Sequence, residues 1–249
     1  MRSKVSRNFV LLAPPSCGEV SANKSANVGA LIFIVTLFCS VLIIAYHPSF
    51  VQRFLGFLHI HLGDVPGAFN LLEEIVDRGF PIKHIRPMHV ARKKWLLQDA
   101  IGFARKGGFI DVTSGGICDF SSPADAVEIL FDEKVPPHLL TMSTDGHGSK
   151  PRFNENGELI GLRCGGVTGN LDIVRELIGR GHAPEKILPL VTSNVADALG
   201  LGGKGKISAG FDADICFFDT DWKLRSVFAR GKQHLSEGKL LKKGTFEEL

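Results

Sequence analysis

No two of the five cysteines (Cys17, Cys39, Cys118, Cys164 and Cys216) fall within a C-x2–4-C spacing. That pattern excludes a thiolate zinc site and a disulfide framework, and an odd, scattered set reads as reduced thiols facing a cytosol. Neither sign of charge dominates: 29 Lys+Arg stand against 26 Asp+Glu, a formal net charge of +3. So mild and evenly spread a balance excludes nucleic acid as a partner. The bias of disordered, collagenous or coiled-coil chains is also missing. With 44% hydrophobic and 22% charged residues over 249 positions, there is enough chain to bury a core.

What the sequence does have falls into three parts, predicted as 1–50, 51–202 and 203–249. In the first, Val28 to Tyr46 (VGALIFIVTLFCSVLIIAY) carries no charge and no proline. As a helix this run would just span a hydrocarbon core of roughly 30 Å. Arg2, Lys4, Arg7 and Lys24 before it, against Arg53 after it, predict an N-terminus on the inner side. The expectation is therefore a transmembrane helix at 28–46 and a membrane-associated chain, or a cytoplasmic one if that helix is not real. An N-in helix places the body outside the cytosol, which conflicts with free cysteines. The run is also rich in β-branched residues (Val28, Ile32, Ile34, Val35, Thr36, Val41, Ile43, Ile44), so buried strands are the competing reading.

From Phe54 the pattern changes to alternating strands and helices. Strands are predicted at 54–64, around 82–90, at 109–114 and at 139–146. Helices are predicted at 68–79, 93–107, from Ser122-Pro123 to Phe131, at about 169–180 and from Pro184 to Leu199. That βα alternation implies parallel strands with crossover helices. From about Gly205, short β runs separated by glycine turns predict a small β module.

The residues capable of chemistry sit together at the C-terminal ends of the predicted strands: His61-Leu-Gly-Asp64, His89-Val-Ala-Arg92, Thr113-Ser114 and Asp145-Gly-His147-Gly-Ser149. In a barrel of parallel strands the active site is built at that rim. Two imidazoles and a carboxylate are ligands that a catalytic Zn2+ takes. A metal there polarises a carbonyl and activates water, and an aspartate beside it can pass the proton to a leaving amine. Taken singly, each residue has a plainer reading: a core histidine, a turn aspartate, a surface arginine.

The stretch from about His61 to the C-terminus resembles the C-terminal half of isoaspartyl dipeptidases, metallopeptidases of the amidohydrolase superfamily. The resemblance rests on His61-Leu-Gly-Asp64, Pro87-Met-His-Val-Ala-Arg92, Lys106-Gly-Gly-Phe-Ile-Asp-Val-Thr-Ser114 and Ser143-Thr-Asp-Gly-His-Gly-Ser149. Further down, Val191-Thr-Ser-Asn-Val195, Gly203-Lys-Gly-Lys-Ile207, Gly210-Phe-Asp-Ala-Asp214 and Lys243-Gly-Thr-Phe246 extend it. It implies an α/β fold: a partial (β/α)8 TIM-like barrel, about strands five to eight, with a small C-terminal β module. It also implies that His61, His89 and Asp145 are metal ligands and that Asp145 doubles as the catalytic proton shuttle. Arg92 and Ser149 become contacts to the substrate carboxylate, the guanidinium fork suiting bidentate recognition.

The implied reaction is zinc-dependent hydrolysis of β-aspartyl (isoaspartyl) dipeptides. Such a family member has two zinc ions, a strand-one His-x-His pair and a bridging carboxylated lysine. The pair and the lysine belong to a preceding half for which this chain has no room, so one zinc or none is expected here and activity is expected to be impaired. His59 reads as a filler histidine, because Leu-Gly-Asp follows His61. Four parallel strands would leave two open edges, which invites self-association. The alternative is a non-catalytic, membrane-tethered remnant or a partner-binding half-barrel.

Overall fold

In Leu58-His-Ile-His61 an apolar residue alternates with a histidine, and a strand turns such a sequence into two faces. The computed structural model describes residues 31–37, 40–46, 57–116 and 118–242, and gives no side-chain environment at 31–37, 40–46, 149–151, 153 and 163. Leu31–Leu37 (β1) and Ser40–Tyr46 (β2) precede Leu58–His61 (β3). In β3, Leu58 and Ile60 are buried while His59 and His61 are half-buried on the opposite face.

Asn70–Asp77 (α1) leads to Ile85–Met88 (β4), Lys94–Arg105 (α2), Ile110–Thr113 (β5), Pro123–Asp132 (α3) and Leu140–Ser143 (β6). β4 lies parallel to β3 with His61 opposite Met88, and β6 lies parallel to β5 with Thr113 opposite Ser143. The Val90 N–H donates to the Asp111 carbonyl, joining the end of β4 to β5. Parallel strands with helical crossovers are thus present as predicted, in an α/β arrangement.

The core lies between these strands and their helices. In α2 the buried residues Leu96, Leu97, Ala100, Ile101, Phe103 and Ala104 follow helical spacing. Phe103 is fully buried, with its ring 5.3 Å from that of Phe69. It lies so close to the Gly108 backbone that a Cβ there would come within 2.1 Å of its ring. Helix α3 starts at a capping box. The Ser122 hydroxyl accepts from the Ala124 N–H, and Asp125 accepts from the Ser122 N–H. The same hydroxyl donates to Glu176 of Gly169–Gly179 (α4) at 2.6 Å.

Three expectations need correction. The segment predicted as a helix at 28–46 contains two antiparallel strands, β1 and β2, with Leu31 opposite Tyr46 and Leu37 opposite Ser40. Its β-branched residues favour extended backbone, and that preference prevails over apolar length. No helix among the described residues is long and apolar enough to cross a membrane, so the helical membrane tether loses its basis. β2 also pairs antiparallel with β3, placing Leu42 opposite Ile60, so the β3 edge is not open. The helix predicted from Pro184 to Leu199 divides into Pro184–Ile187 (α5), a 3-10 turn at Leu188–Val191 and Ser193–Ala198 (α6). Pro189 has no N–H to continue an α-helical ladder.

Two further units complete the fold. A hairpin that the sequence did not reveal, Ser149–Phe153 (β7) with Leu159–Cys164 (β8), follows the loop carrying Asp145. At the end of the chain, Ile215–Phe218 (β9), Leu224–Ala229 (β10), Lys232–Ser236 (β11) and Lys239–Leu240 (β12) form an antiparallel sheet in the order β12-β11-β10-β9. Arg175 of α4 donates to the Trp222 carbonyl at 2.8 Å, tying that sheet to the α/β part.

Candidate metal centre

His61 is the last residue of β3, His89 follows β4 directly, and Asp145 lies two residues beyond β6. Three strands therefore deliver these side chains to one rim, at the C-terminal ends. His61 Nδ1 is 2.9 Å from His89 Nε2 and 4.0 Å from Asp145 Oδ1. One ligand atom from each residue lies within 4.8 Å of the others. His61 is the most open of the three, with 43% of its side chain exposed, against 23% for Asp145. His89 is buried.

The neighbours decide what this cluster can hold. His89 Nδ1 is 2.8 Å from the Thr113 hydroxyl on β5, which leaves Nε2 to face His61 and the centre. Fixing one ring nitrogen in this way orients the other as a ligand. Two imidazole nitrogens and a carboxylate oxygen suit a first-row divalent ion. A tetrahedral ion with bonds of 2.0–2.1 Å sets its ligand nitrogens roughly 3.4 Å apart. The His61–His89 pair needs only a small separation to reach that, so the residues present fit a metal.

The backbone at the centre is unusual. His89 and Asp145 have φ of 65° and 49°, and His147 has 61°. These are left-handed conformations in residues other than glycine, a state that clusters at functional sites. The loop after Asp145 is tight: the Gly148 N–H donates to the Asp145 carbonyl, and a Cβ on Gly148 would stand 2.8 Å from Asp145 Oδ1. The β7–β8 hairpin is held to the same loop, since His147 N–H donates to the Gly165 carbonyl and Gly165 N–H to the Gly148 carbonyl.

Below the rim, Asp111 of β5 is buried and accepts from Thr141 at 2.7 Å and Ser143 at 2.6 Å. Burial pushes its carboxyl up to about 6, against the pull of those two hydroxyls, and the Asp145 charge adds to the rise. His59 is on the same face as His61, their ring centroids 5.1 Å apart. Burial, then the neighbouring His61, lowers His59 to about 4. Arg86, opposite His59 in the β3–β4 pairing, adds to that fall with its own charge. It donates to the Ala198 carbonyl at 2.7 and 3.0 Å and lies over the Phe109 ring at 3.9 Å.

His61, His89 and Asp145, chosen as ligands from the sequence, thus come together. Arg92, expected at the substrate, donates to the Leu62 carbonyl at 2.9 Å and stands 3.5 Å from Asp64. Ser149 begins β7, and its side chain lies outside the described residues. The supporting roles of Thr113 and Asp111 went unassigned. Their period-two spacing on β5 was the available signal, but what each touches depends on cross-strand register.

Structural comparison aligns the chain with β-aspartyl dipeptidase from Fervidobacterium islandicum AW-1 in complex with β-Asp-Leu dipeptide. The TM-score is 0.69 at 30% identity, over 78% of this chain and 50% of that one. A second structure of that organism's β-aspartyl dipeptidase gives 0.66 at 26%, over 78% and 49%. Among curated proteins, an allantoinase of Rubrobacter xylanophilus is 31% identical over 102 residues, covering 39% of this chain and 22% of the allantoinase. The chain therefore spans about half the length of the dipeptidases and a smaller share of the allantoinase. The amidohydrolase family profile matches residues 58–245. That match takes in every strand carrying a donor, and the chain belongs to the amidohydrolase family.

Proposed function

We propose that the centre holds a zinc ion through His61, His89 and Asp145 and hydrolyses β-aspartyl dipeptides. The observation carrying this reading is the gathering of the three donor atoms within 4.8 Å at the strand ends. The 30% identity to a dipeptidase whose structure contains β-Asp-Leu supports the choice of substrate. A bound zinc would polarise the scissile carbonyl and ready a water for attack.

The chain's own groups do the rest. Asp145 Oδ1 takes the proton of the attacking water and returns it to the leaving amine. Arg92 has five N–H donors; one goes to the Leu62 carbonyl and Nε stands 3.5 Å from Asp64, so its fork retains capacity for a substrate carboxylate. Ser149, at the start of β7, supplies a hydroxyl to the same carboxylate.

The test is release of leucine from β-Asp-Leu by the full chain, with zinc and with a chelator. Zinc-dependent release that Asp145→Asn abolishes is the expected result; no release from the zinc-loaded chain overturns the peptidase reading. A second reading, metal binding without turnover, is favoured by the three-donor group, because the dipeptidase resemblance implies a larger ligand set. Stoichiometric zinc uptake without leucine release identifies it.

A further inference from the structure

Asp111 has no part in the proposed reaction, yet it is buried and both of its carboxylate oxygens are engaged. Oδ1 accepts from the Ser143 hydroxyl at 2.6 Å and Oδ2 from the Thr141 hydroxyl at 2.7 Å. Hydroxyls donating to an ionised carboxylate stand at about 2.5–2.7 Å. The main chain of the same residue reaches the other neighbouring strand, where its carbonyl accepts from the Val90 N–H at 3.3 Å, directly after His89. One residue of β5 thus grips the end of β4 with its backbone and the end of β6 with its side chain. A buried carboxylate costs desolvation that an apolar side chain would avoid, so stability alone does not account for an aspartate here.

Ser143 ends β6 and stands two residues before Asp145. Its hydroxyl is held by Asp111, and its carbonyl accepts from the Ser114 N–H at 2.8 Å, so both of these groups are fixed to the β5 side. Beyond it the chain enters the left-handed conformation of Asp145, with φ of 49°, and closes through the Gly148 N–H on the Asp145 carbonyl. A residue other than glycine keeps such a conformation only where its surroundings hold it. Ser143 is the anchor on the strand side of that turn.

We propose that Asp111 is a positioning residue of the metal centre: through the Ser143 hydroxyl it fixes the end of β6, so that the Asp145 carboxylate stands 4.0 Å from His61. The proposal rests on the reading of His61, His89 and Asp145 as a metal site, and adds a residue that touches neither metal nor substrate. Thr141 supplies the comparison. It bonds the same carboxylate at nearly the same length from the same strand, but four residues before Asp145. A merely structural role makes the two hydroxyls equivalent, and a positioning role does not.

Zinc affinity, read by competition with a chromophoric chelator, and the visible spectrum of bound Co2+ report on the centre of the full chain without turnover. Ser143→Ala and Asp111→Asn are each expected to weaken zinc binding by about 10–100-fold, as for residues that orient a ligand, and to alter the cobalt spectrum. Thr141→Val is expected to leave both at the parent values. The double variant of Asp111→Asn with Ser143→Ala is expected to lose no more than the larger single loss, because both act through one contact. Denaturant midpoints of the metal-free variants show that each folds, and Ser143→Ala with Thr141→Val decides the matter if Asp111→Asn does not. Parent-like affinity in folded Ser143→Ala overturns the proposal and leaves the metal site standing. Equal losses in Ser143→Ala and Thr141→Val have the same force. A parent chain that takes up neither metal overturns both this proposal and the site beneath it.

Discussion

Thr113 decides which nitrogen of His89 faces the centre, because its hydroxyl lies 2.8 Å from Nδ1. Thr113→Val keeps the volume and removes the hydroxyl. Zinc affinity is expected to fall by about 10–100-fold, read by competition with a chelator, as for other residues that orient a ligand. Buried Asp111 and half-buried His59 also make stability depend on pH in opposite senses. Asp111 titrates at about 6 when folded against an ordinary 3.8, so its contribution is present at low pH and lost as pH rises through 6. His59 titrates at about 4 against 6.5, so its contribution is present above 6.5 and lost as pH falls towards 4. Relative to the parent chain without metal, His59→Gln is expected to lose stability as pH rises from 4 to 6. Asp111→Asn is expected to gain stability over the same interval. Calorimetry in the presence of a chelator measures both, and slopes of the same sign in the two variants would contradict the assignment. His61, His89 and Asp145 were legible in the sequence because each stands where a strand run stops. The partners of Asp111 were not, since Thr141 and Ser143 meet it only through the β5–β6 register.

Elements were legible wherever a local signal agreed with the packing. The Ser122-Pro123 start of α3 is one such case, and the structure adds a full capping box to it. Ser122→Ala is expected to lower stability by about 1 kcal/mol through the lost cap, measured by denaturant unfolding. The bond to Glu176 adds to the loss. The β7–β8 hairpin was missed because Pro151 and Gly161 interrupt an apolar alternation, while the pairing that makes the strands is a cross-strand property. The 28–46 run was misread for a different reason: length and hydropathy describe a helix and a pair of strands equally well, and only β-branching separates them. At the loop joining β6 to the hairpin, Gly148→Ala is expected to displace the Asp145 carboxylate, because the new Cβ would approach Oδ1 to 2.8 Å. Weakened zinc binding with little change in the unfolding midpoint is the expected signature.

For the molecule as a whole, the family was legible from the strand-end motifs, whereas the arrangement of the N-terminal strands was not. β2 laid against β3 gives the sheet a mixed edge that no run of βα units announces. Phe103 is among the largest fully buried side chains of the core, where it faces Phe69 and presses on Gly108. Phe103→Ala is expected to destabilise the fold by about 3–5 kcal/mol, visible as a large fall in the denaturation midpoint. The left-handed backbone at His89 and Asp145 acts in the other direction. Glycine would adopt those angles without strain, while other residues there give up of the order of 1 kcal/mol each. Asp145→Gly is therefore expected to firm the fold as it removes a proposed ligand. Breeding this protein for heat tolerance alone would then work against the proposed centre.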